Sequence, residues 1–165
     1  MLLSDDYRRQ LIELHRREAN WGHGHQAEHL PKILEHIPRK ARVLDYGCGK
    51  GNLVQAMKEN GYFAHGYDPG VAEWSKVPLK GTYDWVVSFD VMEHIEPELV
   101  PEVVAHLVST ADHGIVEIAL LPAAAILPDG RNAHLSLFPA DVWRAMFPES
   151  AVVTAQKRSL LALRW

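Results

Sequence analysis

The residues best placed for chemistry are the glycines of segment 44–51, whose sequence is LDYGCGKG. Gly47, Gly49 and Gly51 occupy alternate positions after an apolar start, which predicts a strand ending in a tight loop. Residues 52–60 can form the helix that follows. A strand–loop–helix unit brings main chain close to a ligand at the carboxyl edge of a parallel sheet. Glycine suits such a loop because a Cβ would clash with the ligand or forbid the required backbone angles.

The glycine spacing discriminates between ligands. A dinucleotide-binding fingerprint, G-x-G-x-x-G, would need glycine at position 52, where this chain has Asn52. The loop is not a phosphate-binding P-loop either, since Lys50 is not followed by serine or threonine. Cys48 is interpreted as a small residue packed beneath the ligand rather than as a nucleophile.

A second acid, Asp68, lies 21 residues after Gly47, at the end of a predicted strand. An acid at about this offset accepts hydrogen bonds from ribose hydroxyls in nucleoside-binding proteins. The feature therefore predicts a nucleoside without identifying which one. The alternative is that Asp68 caps a helix or shapes the turn before Pro69.

Three segments in order, 44–51, 66–69 and 83–95, resemble the class I S-adenosylmethionine-dependent methyltransferases, and the first of them resembles their motif I. The resemblance covers residues 40–121 well. It implies a Rossmann-like α/β fold, a three-layer sandwich whose mostly parallel sheet closes with a C-terminal antiparallel hairpin. It also implies S-adenosylmethionine as the cofactor and transfer of its methyl group to an oxygen or nitrogen atom. The cofactor-binding residues that it implies are Asp45, Gly47, Cys48, Gly49, Gly51, Asp68 and Asp90.

The chain is predicted to be a single domain, with residues 1–40 as a helical N-terminal cap and residues 41–165 as the Rossmann-like core. The predicted strands are 42–45, 61–67, 83–89, 114–121, 151–155 and 160–165, and the predicted helices include 97–108 and 139–147. Only 16 positions separate Asp68 from Asp84, too few for a helix and a further strand. The third strand of the usual fold is therefore predicted to be missing or reduced, and Trp74 is a candidate to contact adenine instead.

Substrate-binding residues are predicted in two places. Arg131, Asn132 and His134 lie in a polar loop after a predicted strand, where open α/β sheets place their chemistry. His134 is the predicted general base, since a neutral imidazole can take a proton near neutral pH. The same loop residues could instead fix the shape of the loop. Trp21 in the N-terminal cap is predicted to cover the site, with core packing as the alternative.

A metal site is not predicted. His23, His25 and His29 lie near Glu28, but their spacing does not place the ligands on one helix face, and no matching pair follows. His23 and His25 are kept as alternatives to His134 for the general base.

The composition limits the possible partners. The net charge is −4, which argues against nucleic acid as a partner, and the mild acidity and small size favour a small-molecule acceptor. One cysteine fits a reducing compartment, and no apolar stretch reaches the roughly 18 residues of a membrane span. The N-terminus does not resemble a signal peptide, so a cytoplasmic location is predicted. The sequence does not indicate an oligomeric state.

Two other functions stay open at this point. A non-catalytic S-adenosylmethionine-binding domain is compatible with the missing strand. An NAD-type oxidoreductase is disfavoured by Asn52 and by the lack of a second domain to hold a hydride acceptor.

Overall fold

The computed structural model describes residues 2–17, 26–157 and 159–165. Its helices are α1 (Asp5–Arg17), α2 (Gln26–His36), α3 (Asn52–Glu59), α4 (Val100–Thr110) and α5 (Ala140–Met146). Its strands are β1 (Arg42–Tyr46), β2 (Phe63–Tyr67), β3 (Tyr83–Phe89), β4 (Ala111–Ala119), β5 (Val152–Lys157) and β6 (Leu160–Arg164). Two short 3-10 turns occupy Ala72–Trp74 and Met92–His94.

The six strands form one sheet in the order β2-β1-β3-β4-β6-β5. Strands β1 to β4 run parallel to one another, and β5 and β6 form an antiparallel hairpin beside β4. Residues 68–82, all of them described, contain a single 3-10 turn and no strand, so β2 is the edge of the sheet. The predicted fold class, including the missing third strand and the closing hairpin, is confirmed.

The side chains of each strand alternate between the two faces of the sheet, and helices cover both faces, so the fold is a three-layer sandwich. In β1, Val43 joins the apolar cluster that contains residues of α2 and α3, whereas Leu44 joins the cluster that contains residues of α1, α4 and α5. Successive side chains of a strand point to opposite faces of its sheet, so the two sets of helices cover opposite faces. Within the described ranges, no helix has the length and apolar character needed to cross a bilayer.

Several helices and strands begin or end at residues other than the predicted ones. The helix predicted from Pro97 begins at Val100, and β4 spans Ala111–Ala119 rather than residues 114–121. Strand β4 follows α4 without a connecting loop, because Ala111 already pairs with Tyr83 of β3. Local composition does not report this pairing, since its two partners are far apart in the sequence.

The sequence predicts a buried face of Leu30, Ile33, Leu34 and Ile37 for α2, and one of Val142, Trp143 and Met146 for α5. Both predictions are partly wrong. In α2, Ile33 and Ile37 are buried, but Leu34 is 41% exposed. Proline is favoured in the first turn of a helix, so the sequence predicts a helix start next to Pro31. The structure instead starts α2 at Gln26 and contains Pro31 in its interior. In α5, Trp143 is fully buried whereas Val142 is 39% exposed. In both helices, the apolar residues next to each other in sequence cannot all face the core.

The end of the chain packs against the centre of the sheet through Gly114. Its main chain exchanges two hydrogen bonds with that of Trp165 at 3.2 Å. A Cβ at position 114 would overlap the indole ring of Trp165. Glycine is required here by a close approach of a side chain.

We expect Gly114→Ala to lower the free energy of unfolding by about 1–3 kcal/mol, because an extra methyl group in a filled space forces side chains to move. Urea denaturation would measure the loss. In a Trp165→Ala background, the same substitution should cost much less, since the ring that it meets is gone. Equal costs in both backgrounds would contradict this explanation.

Candidate functional site

A cavity of about 270 Å³ lies at the carboxyl ends of β1, β2 and β3. The loop after β1 forms its floor, and residues of α1 and of the segment before α1 cover it. Its lining includes three acids and three histidines. Those residues are Asp45, Asp68, Asp90, His15, His29 and His94.

The glycine loop folds back on the end of β2. Gly47 donates its N–H to the carbonyl of Tyr67 at 2.7 Å and has a φ of 84°. A Cβ at Gly47 would overlap the side chain of Val91. Gly49 also has a positive φ, and both glycines line the cavity. The main chain of the loop thus forms part of the cavity wall.

Asp68 joins this loop to the turn after β2. Its carboxylate accepts the N–H of Gly49 at 2.9 Å and the N–H of Gly70 at 2.8 Å. The Nε2 atom of His15, on α1, lies 3.7 Å from the same carboxylate. Burial raises the pKa of Asp68, while His15 and the two N–H groups act to lower it. Asp68 therefore combines a turn role with a position in the cavity wall.

Asp45 is the second buried acid and is only 4% exposed. Burial raises its pKa to about 7, and the nearby charge of Asp68 adds to the increase. An acid with this pKa changes its charge readily when a ligand brings a positive group close. Asp45 and Asp68 together make this end of the cavity strongly acidic.

Cys48 and Gly51 differ in their relation to the cavity. Cys48 lines it, and burial raises the pKa of its thiol far above the usual range, so the thiol is not activated. Gly51 is not among the lining residues. A Cβ at Gly51 would lie 2.8 Å from the ring of Trp74, and its φ of 80° makes the turn into α3. The structure thus places Gly51 in the loop packing, and Trp74 against the loop rather than in the cavity.

Asp90 ends β3 in a left-handed conformation, with a φ of 54°. Such a conformation is unfavourable for a residue with a side chain, although aspartate tolerates it better than most. The Asp90 carboxylate lies 3.8 Å from Nε2 of His29 and is 44% exposed. Strained residues of this kind often occur at functional sites.

His29 is a cavity residue whose position the sequence did not reveal. It is 4% exposed, and its ring stacks on that of Phe89 with centroids 4.2 Å apart. Its Nδ1 atom lies 3.6 Å from the buried acid Glu117 of β4, whose two oxygens bind Nζ of Lys32 at 2.7 Å. The spacing of His29 and Ile33 on one face of α2 was the available signal. Gly22 and Gly24 instead predicted a loop over residues 21–29, and this prediction concealed the helical position of His29.

Glu93, His94 and His134 form a second polar group beside the cavity. Glu93 is fully buried and accepts the N–H of Ala119 at 2.8 Å, and burial raises its pKa to about 8. His94 lines the cavity and donates from Nδ1 to the carbonyl of Ala133 at 2.8 Å. Burial lowers the pKa of His94 to about 4, assisted by His134. The rings of His94 and His134 meet edge to face, with centroids 4.8 Å apart.

The other polar residues of the loop after β4 form hydrogen bonds and an ion pair with residues of the same segment. Arg131 pairs with Asp129 at 2.6 Å, and the amide of Asn132 bonds both main-chain groups of Ala123. Neither side chain lines the cavity, so a role for either in binding the acceptor stays a prediction. His134 also lies outside the lining, next to His94. Trp21 falls outside the described residues.

The arrangement suits a ligand that carries both hydroxyl groups and positive charge. Asp45, Asp68 and Asp90 place three acids around one small space, and opposite charges within a few ångströms stabilise one another strongly when water is excluded. Apolar side chains such as Leu3, Tyr7 and Leu11 complete the walls. Ligand-binding pockets combine apolar walls with a few polar groups in this way.

Comparisons with known proteins agree with this geometry. Residues 14–162 match the family described as methyltransferase domain. A 1,6-didemethyltoxoflavin-N1-methyltransferase from Burkholderia thailandensis, solved with S-adenosylhomocysteine, has a TM-score of 0.66 at 15% identity, covering 95% of this chain and 86% of its own. The magnesium protoporphyrin IX methyltransferase from Synechocystis PCC 6803, also solved with S-adenosylhomocysteine, has a TM-score of 0.53 at 19% identity, covering 84% and 79%.

A third similar structure is the PH0226 protein from Pyrococcus horikoshii OT3, with a TM-score of 0.62 at 14% identity, covering 99% of this chain and 92% of its own. At these identities, the solved structures show a common fold. A search of curated protein sequences gave no match.

The raised pKa of Asp45 predicts a specific pH dependence of stability. Its pKa is about 7 in the folded chain and about 3.9 when unfolded, so the folded state binds more protons between these values. The free energy of unfolding should therefore fall as the pH rises from about 4 to about 7. Each unit of pKa difference corresponds to about 1.4 kcal/mol. Asp45→Asn should lack this contribution, which urea denaturation from pH 4.5 to pH 8 would measure.

Asp84 provides a matched control, because its pKa is shifted in the opposite direction to that of Asp45. The hydrogen bond from Arg42 lowers the pKa of Asp84, so its contribution is present at neutral pH and lost as the pH falls. Asp84→Asn should therefore give a profile parallel to that of wild type between pH 4.5 and pH 8, with a difference in slope only below about pH 4. Parallel profiles for wild type and Asp45→Asn would show that the pKa of Asp45 is not raised.

Proposed function

We propose that this chain, which belongs to the methyltransferase domain family, methylates an oxygen or nitrogen atom of a small molecule. It is an S-adenosylmethionine-dependent methyltransferase. The observation that carries the proposal is the cavity at the carboxyl edge of the sheet, whose lining combines the glycine loop with three acids and three histidines. Membership of this family sets aside the NAD-type oxidoreductase.

S-Adenosylmethionine supplies an activated methyl group on a positively charged sulfur, together with a ribose and an ammonium group. We assign the ribose hydroxyls to Asp68, which faces the cavity and already accepts hydrogen bonds from main chain. The main chain at Gly47 and Gly49 would approach the cofactor closely, and Cys48 would pack beneath it. Asp45 and Asp90 would stabilise its positive charges.

The N-terminal residues that cover the cavity support the proposal that the methyl acceptor is a small molecule. Leu2, Leu3 and Tyr7 lie over the site, so residues 1–40 act as a cap on a single domain in the proposal. The net charge of −4 gives no basic field for nucleic acid. Two proteins with a similar fold act, by their names, on 1,6-didemethyltoxoflavin and magnesium protoporphyrin IX. The single cysteine supports the cytoplasm as the proposed location.

His134 is the proposed general base. Its Nδ1 atom bonds the carbonyl of Leu121. A carbonyl can only accept, so Nδ1 carries the proton and the lone pair lies on Nε2. A base is useful if the acceptor is a hydroxyl, since the oxygen must lose a proton. The chain otherwise aligns the two reactants and excludes water.

Cofactor binding is tested by thermal unfolding with S-adenosylmethionine, S-adenosylhomocysteine or NADH. A ligand at about 100 times its Kd adds roughly 2.7 kcal/mol of stability, so the first two should raise the midpoint and NADH should not. Asp68→Ala should reduce the ligand-induced shift, because the ribose hydroxyls lose their acceptor. Asp112→Ala, a change at an exposed acid, is the control. An undiminished shift in Asp68→Ala would remove the assigned ribose contact.

Acceptor chemistry is tested with His134→Ala. Pools of small molecules screened with methyl-labelled cofactor would supply the acceptor. We expect kcat to fall by about 10²- to 10⁴-fold, as is typical for loss of a general base, with affinity for S-adenosylhomocysteine nearly unchanged. His113→Ala, at an exposed histidine, should behave as wild type. Unchanged turnover of the true acceptor by His134→Ala would end the assignment.

A further inference from the structure

The structure brings together three candidate metal ligands that the sequence did not connect. Among the described residues, Glu93, His94 and His134 each offer one ligand atom, and these atoms lie within 4.8 Å of one another. Glu93 and His94 follow β3, whereas His134 comes from the loop after β4. The histidines considered from the sequence, His23, His25 and His29, are not part of this group.

Both imidazoles are held in the form that metal ligands need. Nδ1 of His94 donates to the carbonyl of Ala133, and Nδ1 of His134 donates to the carbonyl of Leu121. With the proton on Nδ1, the lone pair of each ring lies on Nε2. Metal-binding histidines commonly show this second hydrogen bond, which fixes the tautomer and orients the ring.

The carboxylate of Glu93 gives a second, independent indication of a bound cation. One of its oxygens accepts the N–H of Ala119, but Oε2 is buried without a hydrogen-bond partner. A buried polar atom without a partner is unfavourable, so such atoms are uncommon in folded proteins. Oε2 belongs to a residue that is 0% exposed. A bound cation would satisfy it.

We propose that Glu93, His94 and His134 bind a divalent first-row transition metal ion at the edge of the methyl-transfer cavity. Two imidazoles and one carboxylate are the ligand set of catalytic zinc sites and of other sites with open positions. Magnesium is disfavoured because it prefers oxygen ligands. Ligands about 2.1 Å from a tetrahedral ion lie about 3.4 Å apart, so binding requires the longest separation in the group, up to 4.8 Å, to shorten by up to about 1.4 Å. Glu93 is buried, whereas His94 and His134 are both partly buried.

The ion would bind the acceptor, a role that rests on the proposed function. His94 lines the cavity, so an ion held by this group would lie next to the space left for the acceptor. A hydroxyl bound to a divalent cation loses its proton far more readily than a free one. The proton would pass to water, and the oxygen lone pair would form the new C–O bond to the methyl group. The C–S bond of the sulfonium would break at the same time, and its electron pair would stay on the sulfur of S-adenosylhomocysteine.

This role and the role of His134 as a base are alternatives. When Nε2 of His134 binds a metal ion, its lone pair cannot accept the proton. Loss of activity in His134→Ala is expected in either case, so metal binding must be measured directly.

The test uses tag-free protein that has been stripped with a chelator and dialysed against Co²⁺ or Zn²⁺. Metal analysis should give one ion per chain, and bound Co²⁺ should show visible absorption of a site with nitrogen ligands. Glu93→Gln, His94→Ala and His134→Ala should each weaken binding at least about tenfold, since even loss of an outer-shell partner costs 10- to 100-fold. His113→Ala should bind as wild type does. Circular dichroism would confirm that each variant is folded.

Calorimetry with S-adenosylhomocysteine, with and without chelator, separates the two proposals. Failure of wild type to bind Co²⁺ or Zn²⁺, or undiminished binding in all three folded variants, would overturn the metal site even if S-adenosylhomocysteine binds. Metal binding without any effect of chelator on methyl transfer would overturn the role in acceptor binding. If S-adenosylhomocysteine does not bind in either condition, the proposed function fails, whatever the metal analysis shows.

Discussion

The buried carboxylate of Asp68 is the interaction on which the ligand site depends. It accepts the main-chain N–H groups of Gly49 and Gly70 and so joins the loop after β1 to the turn after β2. Burial of an acid is unfavourable and raises its pKa. The two N–H groups, together with His15 from α1, offset part of that cost. The loop, the turn and the N-terminal helix must therefore come together for the site to exist.

Both faces of the sheet contribute to the cavity. Helix α1 brings His15 over Asp68 from one face, and α2 brings His29 between Asp90 and Glu117 from the other. The strands are parallel, so their carboxyl ends meet at one edge, and helices on either side can reach it. The cavity becomes a narrow space in which several ionisable groups lie close together. In such a space, each ionisable group shifts the pKa of its neighbours. A charged ligand would interact strongly with these groups.

A side chain, that of Trp74, packs beside the edge strand β2 where a third strand is missing. Trp74, in the 3-10 turn after β2, packs against Gly51 and Gly66, and Lys58 of α3 lies 5.9 Å from its ring. The bulky indole covers the main chain near the edge of the sheet. Farther along the same edge strand, Phe63 is 61% exposed. The small fold thus keeps the glycine loop packed while leaving part of β2 open to solvent.

The sequence by itself determined the fold class, the missing strand and the positions of Gly47, Gly49 and Asp68, because these depend on local backbone geometry and on spacing along the chain. Tertiary structure alone decided which side chains share the cavity. His29 and Glu93 lie there or beside it, whereas Arg131 and Asn132 bond within their own loop. A strand or a tight turn is specified by its neighbours in sequence. The surroundings of a histidine or a buried acid are specified by residues tens of positions away, and local patterns do not record them.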